Sequence, residues 1–119
     1  MSAQQEAVVD RLIEAYNRGD AKAFAALFAP DATVFSYPGV AMQEGAAAIE
    51  AEYARVFERF PGGRTETAHR SVIGSRVVDL ERVTRREGGE AADVLTLYTV
   101  ENDRITRAEM LTAVQAEAA

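Results

Sequence analysis

Apolar side chains recur every three or four residues along the first half of the chain, which is the spacing of amphipathic helices. The first such segment runs from about Ala3 to Arg18. Asp20 is a good N-cap for a short second helix that ends before Pro30. Gly45 begins a third helical segment, and the turn residues Pro61-Gly62-Gly63 end it. The pattern therefore predicts three helices before residue 61.

The remaining segments are rich in β-branched and aromatic residues and are separated by turn residues, as strands are. Gly74-Ser75 is typical of a tight hairpin between two of them. Segregated helices followed by a run of antiparallel strands predict the α+β class, with helices covering one face of a single sheet. The predicted strands are 32–37, 64–73, 76–85, 93–100 and 105–114, and residues 115–119 are expected to fray.

Composition narrows the classes of function. The length of 119 residues predicts one domain, residues 1–119, and the net charge of −6 argues against partners such as nucleic acid or anionic membranes. The chain has no cysteine and one histidine, His69, so we expect no thiolate chemistry, no metal site built from histidines or cysteines, and no cofactor. No apolar stretch approaches the roughly 20 residues of a membrane span, and the N-terminus does not resemble a signal peptide. These features favour a cytoplasmic protein.

The strand predicted at 76–85 carries both polar and apolar side chains on each of its two faces. Asp79 and Glu81 share one face with Cα atoms about 7 Å apart, a spacing that suits acid–base chemistry or a cation. The alternative is a solvated face whose acids pair with Arg70 or Arg76. On the other face, Arg82 either clamps a ligand carboxylate or forms a surface ion pair. The pattern alone does not decide which face is inside.

Three motifs carry a resemblance to a known family. The segments Tyr16–Asp20, Leu27–Val34 and Gly45–Ile49, in this order of elements, resemble the nuclear transport factor 2-like superfamily, and most closely its SnoaL-like and ketosteroid-isomerase-like members. The resemblance covers nearly the whole chain. It implies a cone-shaped α+β barrel, in which a strongly curved antiparallel sheet wraps three helices and leaves a pocket at the open end. It also implies a homodimer formed through the outer face of the sheet.

The catalytic residues of ketosteroid isomerases are mostly replaced. The alignment implied by the resemblance puts Ser36 at the position of the aspartate base, Leu12 near the oxyanion-hole tyrosine and Thr96 near the protonated aspartate. Of that site, only a supporting tyrosine on the third helix has a match, Tyr53. A serine without an activating partner cannot replace a carboxylate base. We therefore do not expect the standard steroid isomerase mechanism.

A similar comparison with limonene-epoxide-hydrolase-like members leaves an incomplete Asp–Arg–Asp relay. Arg82 matches the arginine, whereas Thr84 and Met110 stand where the two aspartates would be. SnoaL-like cyclases place an acidic residue in the pocket, and the candidates are Asp79 or Glu81 if either turns inward. The pocket implied by the resemblance is lined by Leu12, Tyr16, Val34, Ser36, Tyr53, Phe57, Val78, Leu80, Arg82, Thr96, Tyr98, Ala108, Met110 and Thr112.

This lining favours a small hydrophobic or amphipathic ligand that carries a carbonyl or anionic oxygen. The expected function is an isomerase, hydrolase or cyclase in which Arg82 stabilises negative charge and Tyr16 or Tyr53 donates a hydrogen bond. Two alternatives remain open: a non-catalytic ligand-binding protein, and a dimeric interaction protein of the same fold.

Overall fold

The computed structural model describes residues 2–113, so the predictions for Val114 and for residues 115–119 lie outside the described residues. In the described range the chain forms three helices and six strands. The helices are α1 (Ser2–Arg18), α2 (Ala21–Ala26) and α3 (Ala46–Arg59). The strands are β1 (Phe28–Ser36), β2 (Val40–Glu44), β3 (Arg64–Ile73), β4 (Arg76–Thr84), β5 (Ala91–Glu101) and β6 (Arg104–Thr112).

The strands form one curved sheet in the order β2-β1-β6-β5-β4-β3. The predicted α+β class is confirmed, with two corrections to its details. Strand β2 was not predicted, because its five residues are few and mostly exposed and so carry no core pattern. The pair β1–β6 is parallel within an otherwise antiparallel sheet. A parallel pair is possible there because the long connection through α3 and the meander replaces a hairpin.

The three helices pack on one face of the sheet, which we call the inner face. Val8, Val9 and Leu12 of α1 join Ile49 of α3 and the strand residue Val77 in one buried core. Register shifts interrupt the ladders of β1, β3 and β5, and such bulges bend strands and increase their twist. The bent sheet therefore curves around the helices.

Local chemistry at the helix ends agrees with the sequence. The Asp20 side chain accepts a hydrogen bond of 3.0 Å from the backbone N–H of Ala23 and so caps α2. Gly19, before it, has a φ of +67°, a conformation that favours glycine. Gly45 precedes α3 as its N-cap residue and donates its N–H to the Ala32 carbonyl, which ties the start of α3 to β1. These short connections hold α1 and α3 over the inner face.

Candidate functional site

A cavity of about 320 Å³ lies between the helices and the inner face of the sheet. Tyr16 and Tyr53 line it from α1 and α3, and Tyr98 and Met110 line it from β5 and β6. The only carboxylate on its strand wall is Glu81 of β4, among the residues that the structure describes. The walls are mainly apolar, which is the character of small-molecule sites.

Glu81 is buried, with 6% of its surface exposed, and both of its oxygens accept hydrogen bonds. The Tyr98 hydroxyl donates to Oε2 at 2.6 Å, and the Thr96 hydroxyl donates to Oε1 at 3.1 Å. The antiparallel register explains this arrangement, because Thr96 and Tyr98 follow Val94, the residue directly opposite Glu81, and all four side chains point to the inner face. The neighbouring strand therefore fixes the orientation of the carboxyl group.

The surroundings of Glu81 hold its pKa well above the ordinary value. Burial is the main cause and raises the pKa to about 7; the hydrogen bond from Tyr98 acts in the opposite direction. The charge of Asp79 raises it further, while Thr96 and Arg70 lower it. A carboxyl group with a pKa near neutrality can both accept and donate a proton, as general acid–base catalysis requires.

Asp79 shares the inner face with Glu81 but has a different role. It is fully buried and bound in a two-pronged ion pair by Arg70 of β3, with Nε–Oδ1 at 2.7 Å and Nη2–Oδ2 at 2.9 Å. The Thr67 hydroxyl also donates to it, at 3.2 Å. Arg70 reaches on to Asp10 of α1 at 2.8 Å. This network joins α1 to the sheet, and Asp79 does not line the cavity.

Aromatic rings form the helix side of the cavity. The rings of Phe24 and Tyr53 lie 4.2 Å apart, and Tyr16 meets Phe57 edge to face at 5.2 Å. Burial raises the pKa of Tyr16 and Tyr53, so both phenols stay protonated at neutral pH. Each hydroxyl is therefore available as a hydrogen-bond donor.

The structure divides the predicted lining residues into three groups. The first borders the cavity: Leu12, Tyr16, Ser36, Tyr53, Tyr98, Met110 and Thr112. The second lies in the packed interior beside it: Val34, Phe57, Thr96 and Ala108. The third group, Val78, Leu80 and Arg82, lies on the opposite, outer face of the sheet.

The placement of Arg82 corrects the prediction that it faces the ligand. Its side chain is 54% exposed, and its Nε lies 3.6 Å from Asp93 in a surface ion pair. Alternation along β4 turns Asp79 and Glu81 inward, which necessarily turns Leu80 and Arg82 outward. The alignment implied by the resemblance had assigned the strand the reverse orientation, and an error of one residue exchanges the two faces.

Several cavity residues were missed by the sequence analysis. Val83 and the residue just after β4, Arg85, lie on the same side as Glu81 and could have been found by alternation. Thr65 lines the cavity from β3, opposite Val83. Asn17 holds the Thr65 backbone, donating to its carbonyl at 3.0 Å and accepting from its N–H at 2.8 Å. No local signal in the sequence predicts that contact.

Two kinds of feature are absent from the part of the chain that the structure describes. Within residues 2–113, no three histidine or acidic side chains lie together in a group that could hold a metal ion. Of the helices described, none is long and apolar enough to cross a membrane.

A curved sheet that wraps its helices around a cavity defines the nuclear transport factor 2-like class, also called cystatin-like, and solved structures of that class superpose on this chain. A family model described as the SnoaL-like domain matches residues 9–108. The chain therefore belongs to the SnoaL-like domain family.

Solved structures similar to this chain share its fold. An uncharacterised cystatin-fold protein from Novosphingobium aromaticivorans is 28% identical with a TM-score of 0.81, over 90% of this chain and 96% of that one. A putative SnoaL-like polyketide cyclase from Jannaschia sp. CCS1 is 19% identical with a TM-score of 0.78, over 98% and 90%. A protein of ketosteroid isomerase-like fold from Catenulispora acidiphila, in complex with trimethylamine, is 19% identical with a TM-score of 0.75, over 87% and 82%. No curated protein is significantly similar in sequence.

Proposed function

We propose that this SnoaL-like protein catalyses proton transfer on a small apolar carbonyl compound, with Glu81 as the group that accepts and returns the proton. One observation carries the proposal: a carboxyl group with a pKa near 7 is buried on the wall of a 320 Å³ cavity that is otherwise mainly apolar. Carboxyl groups of this kind are typical of sites that remove a proton next to a carbonyl.

The proposed step begins with the Glu81 carboxylate and a neutral ketone in the cavity. The carboxylate takes a proton from the carbon next to the carbonyl, the C–H electron pair forms the enolate, and the negative charge moves to the carbonyl oxygen. The protonated Glu81 then returns the proton to carbon, either at the same position or at another position of a conjugated enolate. No other reactant is consumed, and the carboxylate is regenerated.

The tyrosines supply the remaining parts of the proposed site. Tyr98 and Thr96 act as positioning residues, since their hydroxyls donate hydrogen bonds to the two oxygens of Glu81. Tyr16 and Tyr53 line the same cavity, and their hydroxyls stay protonated. Either can donate to the oxygen on which the negative charge develops, a role the sequence analysis assigned to these two residues.

The experiment follows exchange of the α-protons of 4-phenylbutan-2-one in D₂O by NMR, with Glu81→Gln beside the wild type. The wild type should accelerate exchange, with a rate that rises through pH about 7, and the variant should lose about a hundredfold of that acceleration. Glu66→Gln is the control, because Glu66 is an exposed carboxylate of β3 outside the cavity. Equal rates in wild type and Glu81→Gln would contradict the proposal. Binding of the ketone without exchange would identify the alternative, a non-catalytic ligand-binding protein.

We further propose that two copies associate through the outer face of the sheet. This face carries apolar side chains from the central strands, among them Val78 and Leu80 of β4 opposite Leu97 and Leu95 of β5, and Leu95 is 39% exposed. Light scattering after gel filtration should give a dimer for the wild type and a monomer for Leu95→Lys. Val40→Lys, at an exposed apolar residue of the edge strand β2, should remain a dimer. A monomeric wild type would contradict this proposal.

A further inference from the structure

We infer that Arg85 forms an anion subsite at the mouth of the cavity, so that the ligand is an amphipathic carboxylate whose carbonyl end reaches Glu81. The inference rests on the proposed function of Glu81 and adds the class of compound on which it acts.

Two opposite charges lie on the cavity side of β4 and of the residue that follows it. Glu81, Val83 and Arg85 alternate onto the cavity side, and exposure increases from buried Glu81 through half-buried Val83 to exposed Arg85. Four residues of extended chain separate the Cα atoms of Glu81 and Arg85 by about 13 Å. An acid therefore lies on the inner wall within β4, and a cation lies just beyond the end of that strand, at the opening of the cavity.

Arg85 is held in position by an aromatic ring, while its charge is unpaired among the described residues. Its guanidinium carbon lies 4.9 Å from the centre of the Phe60 ring, an arrangement in which the aromatic face attracts the cation. Among the described residues, no carboxylate lies within ion-pair distance of Arg85. The guanidinium donors are thus free for a carboxylate, which they fit in pairs.

A buried hydroxyl, that of Thr65, lies between the levels of the acid and the cation. Thr65 is 5% exposed and lines the cavity opposite Val83, between the levels of Glu81 and Arg85. Its Oγ1 has no hydrogen-bond partner within residues 2–113. A buried hydroxyl without a partner is unfavourable, so a polar ligand atom at this level would be stabilised.

Because the chain is negatively charged overall, the positive charge of Arg85 at the cavity indicates the charge of the ligand. The net charge is −6, so the protein as a whole repels anions and only a local cation can favour one. A ligand cation would be attracted by Glu81 and by the aromatic rings, but Arg85 would repel it at the entrance. The observations therefore favour the carboxylate, and preference for a cation is an outcome of the test.

The test compares 4-benzoylbutyrate with its uncharged amide by isothermal titration calorimetry at pH about 8, where Glu81 is ionised. The wild type should bind the carboxylate about fivefold more tightly than the amide, the scale of a partly screened ion pair, and added salt should reduce the ratio. Arg85→Gln should bring the ratio to about one, whereas Arg85→Lys should keep most of it. Arg86→Gln is the matched control, because Arg86 is adjacent, exposed and outside the cavity lining.

The outcomes separate this inference from the proposed function. Glu81→Gln should lose α-proton exchange but keep the preference for the carboxylate, because that preference belongs to Arg85. Thr65→Val should leave the ratio of the two affinities unchanged, because both probes carry the same three methylene groups between the carbonyl and the terminal group. Equal affinity of the two probes for the wild type, an unchanged ratio in Arg85→Gln, or tighter binding of benzyltrimethylammonium than of the carboxylate would overturn the inference. Failure of both probes to bind at millimolar concentration would also overturn it.

Discussion

Replacing Glu81 by glutamine should change how the stability of the protein depends on pH. The pKa of Glu81 is about 7 in the folded protein, against 4.5 for the ordinary group. Between these values the unfolded chain has released the proton that the folded chain still holds, so rising pH favours the unfolded state. The difference corresponds to about 3 kcal/mol of unfolding free energy that is lost between pH 4.5 and 7.

Glutamine keeps the shape of the side chain and cannot ionise. Its amide oxygen can accept the hydrogen bond from Tyr98, and its NH₂ can donate to the Thr96 hydroxyl, so both contacts have a replacement. Glu81→Gln should therefore lack the loss of stability that the wild type undergoes as pH rises.

Urea denaturation of the wild type and of Glu81→Gln at about pH 5 and about pH 8 gives the loss of unfolding free energy of each protein. The difference between the two losses belongs to Glu81, since every other group titrates equally in both proteins. The loss of unfolding free energy from the lower to the higher pH should be about 2.5 kcal/mol larger in the wild type, because the unfolded group is already partly ionised at pH 5. Glu66→Gln should behave as the wild type does. The same pH dependence in wild type and Glu81→Gln would refute the reasoning, because it would mean that burial does not hold the proton on Glu81.

Three further changes test the surroundings of the site. Arg70→Met leaves the buried charge of Asp79 unpaired and should lower the unfolding free energy, measured by urea denaturation, by about 3–5 kcal/mol. Most of this loss should be recovered when Asp79→Leu is added. A loss below about 1 kcal/mol would show that the pair is solvated. Tyr98→Phe removes a hydrogen bond that favours the ionised Glu81, so the midpoint of the exchange profile should move to higher pH, and an unchanged midpoint would contradict the contact. Arg82→Ala should change the unfolding free energy by less than about 0.5 kcal/mol and leave ketone binding unaltered, and weakened binding would return Arg82 to the site.

The sequence predicts most of the helical layer and the hairpins because their signals are local. Asp20 caps α2, Gly45 precedes α3, and the Gly74-Ser75 turn joins β3 to β4, all as the residue types indicate. The parallel pair β1–β6 has no such signal, since its partners are far apart along the chain. Strand β2 is held by pairing with β1 and buries almost nothing of its own.

The inward face of β4 is the part of the site that periodicity could not assign. Acidic side chains usually mark the solvent face, yet Asp79 is buried because Arg70 of the next strand neutralises it. The outer face carries Val78 and Leu80, which made the two faces equally apolar. Only the ion pair between Asp79 and Arg70, a tertiary contact, distinguishes the two faces. Because this pair places Asp79 on the inner face, Glu81, two residues further along the strand, lies on the inner face as well.

The helical tyrosines are a contrasting case. Tyr16 and Tyr53 fall at core-facing positions of their helices, and this spacing placed them against the cavity. Thr65 depends instead on the register of β3 with β4, which includes a bulge after Thr67, and on the clamp formed by Asn17. Such positions follow from the packing of whole elements.

The most direct test of the account is an NMR titration of the side-chain carboxyl carbon of Glu81 in ¹³C-labelled protein, with Glu81→Gln used to assign the signal. The account predicts a midpoint near pH 7, which makes Glu81 a proton donor and acceptor at neutral pH. A midpoint near the ordinary value of 4.5 would contradict it, because the group would then be permanently ionised and in contact with water.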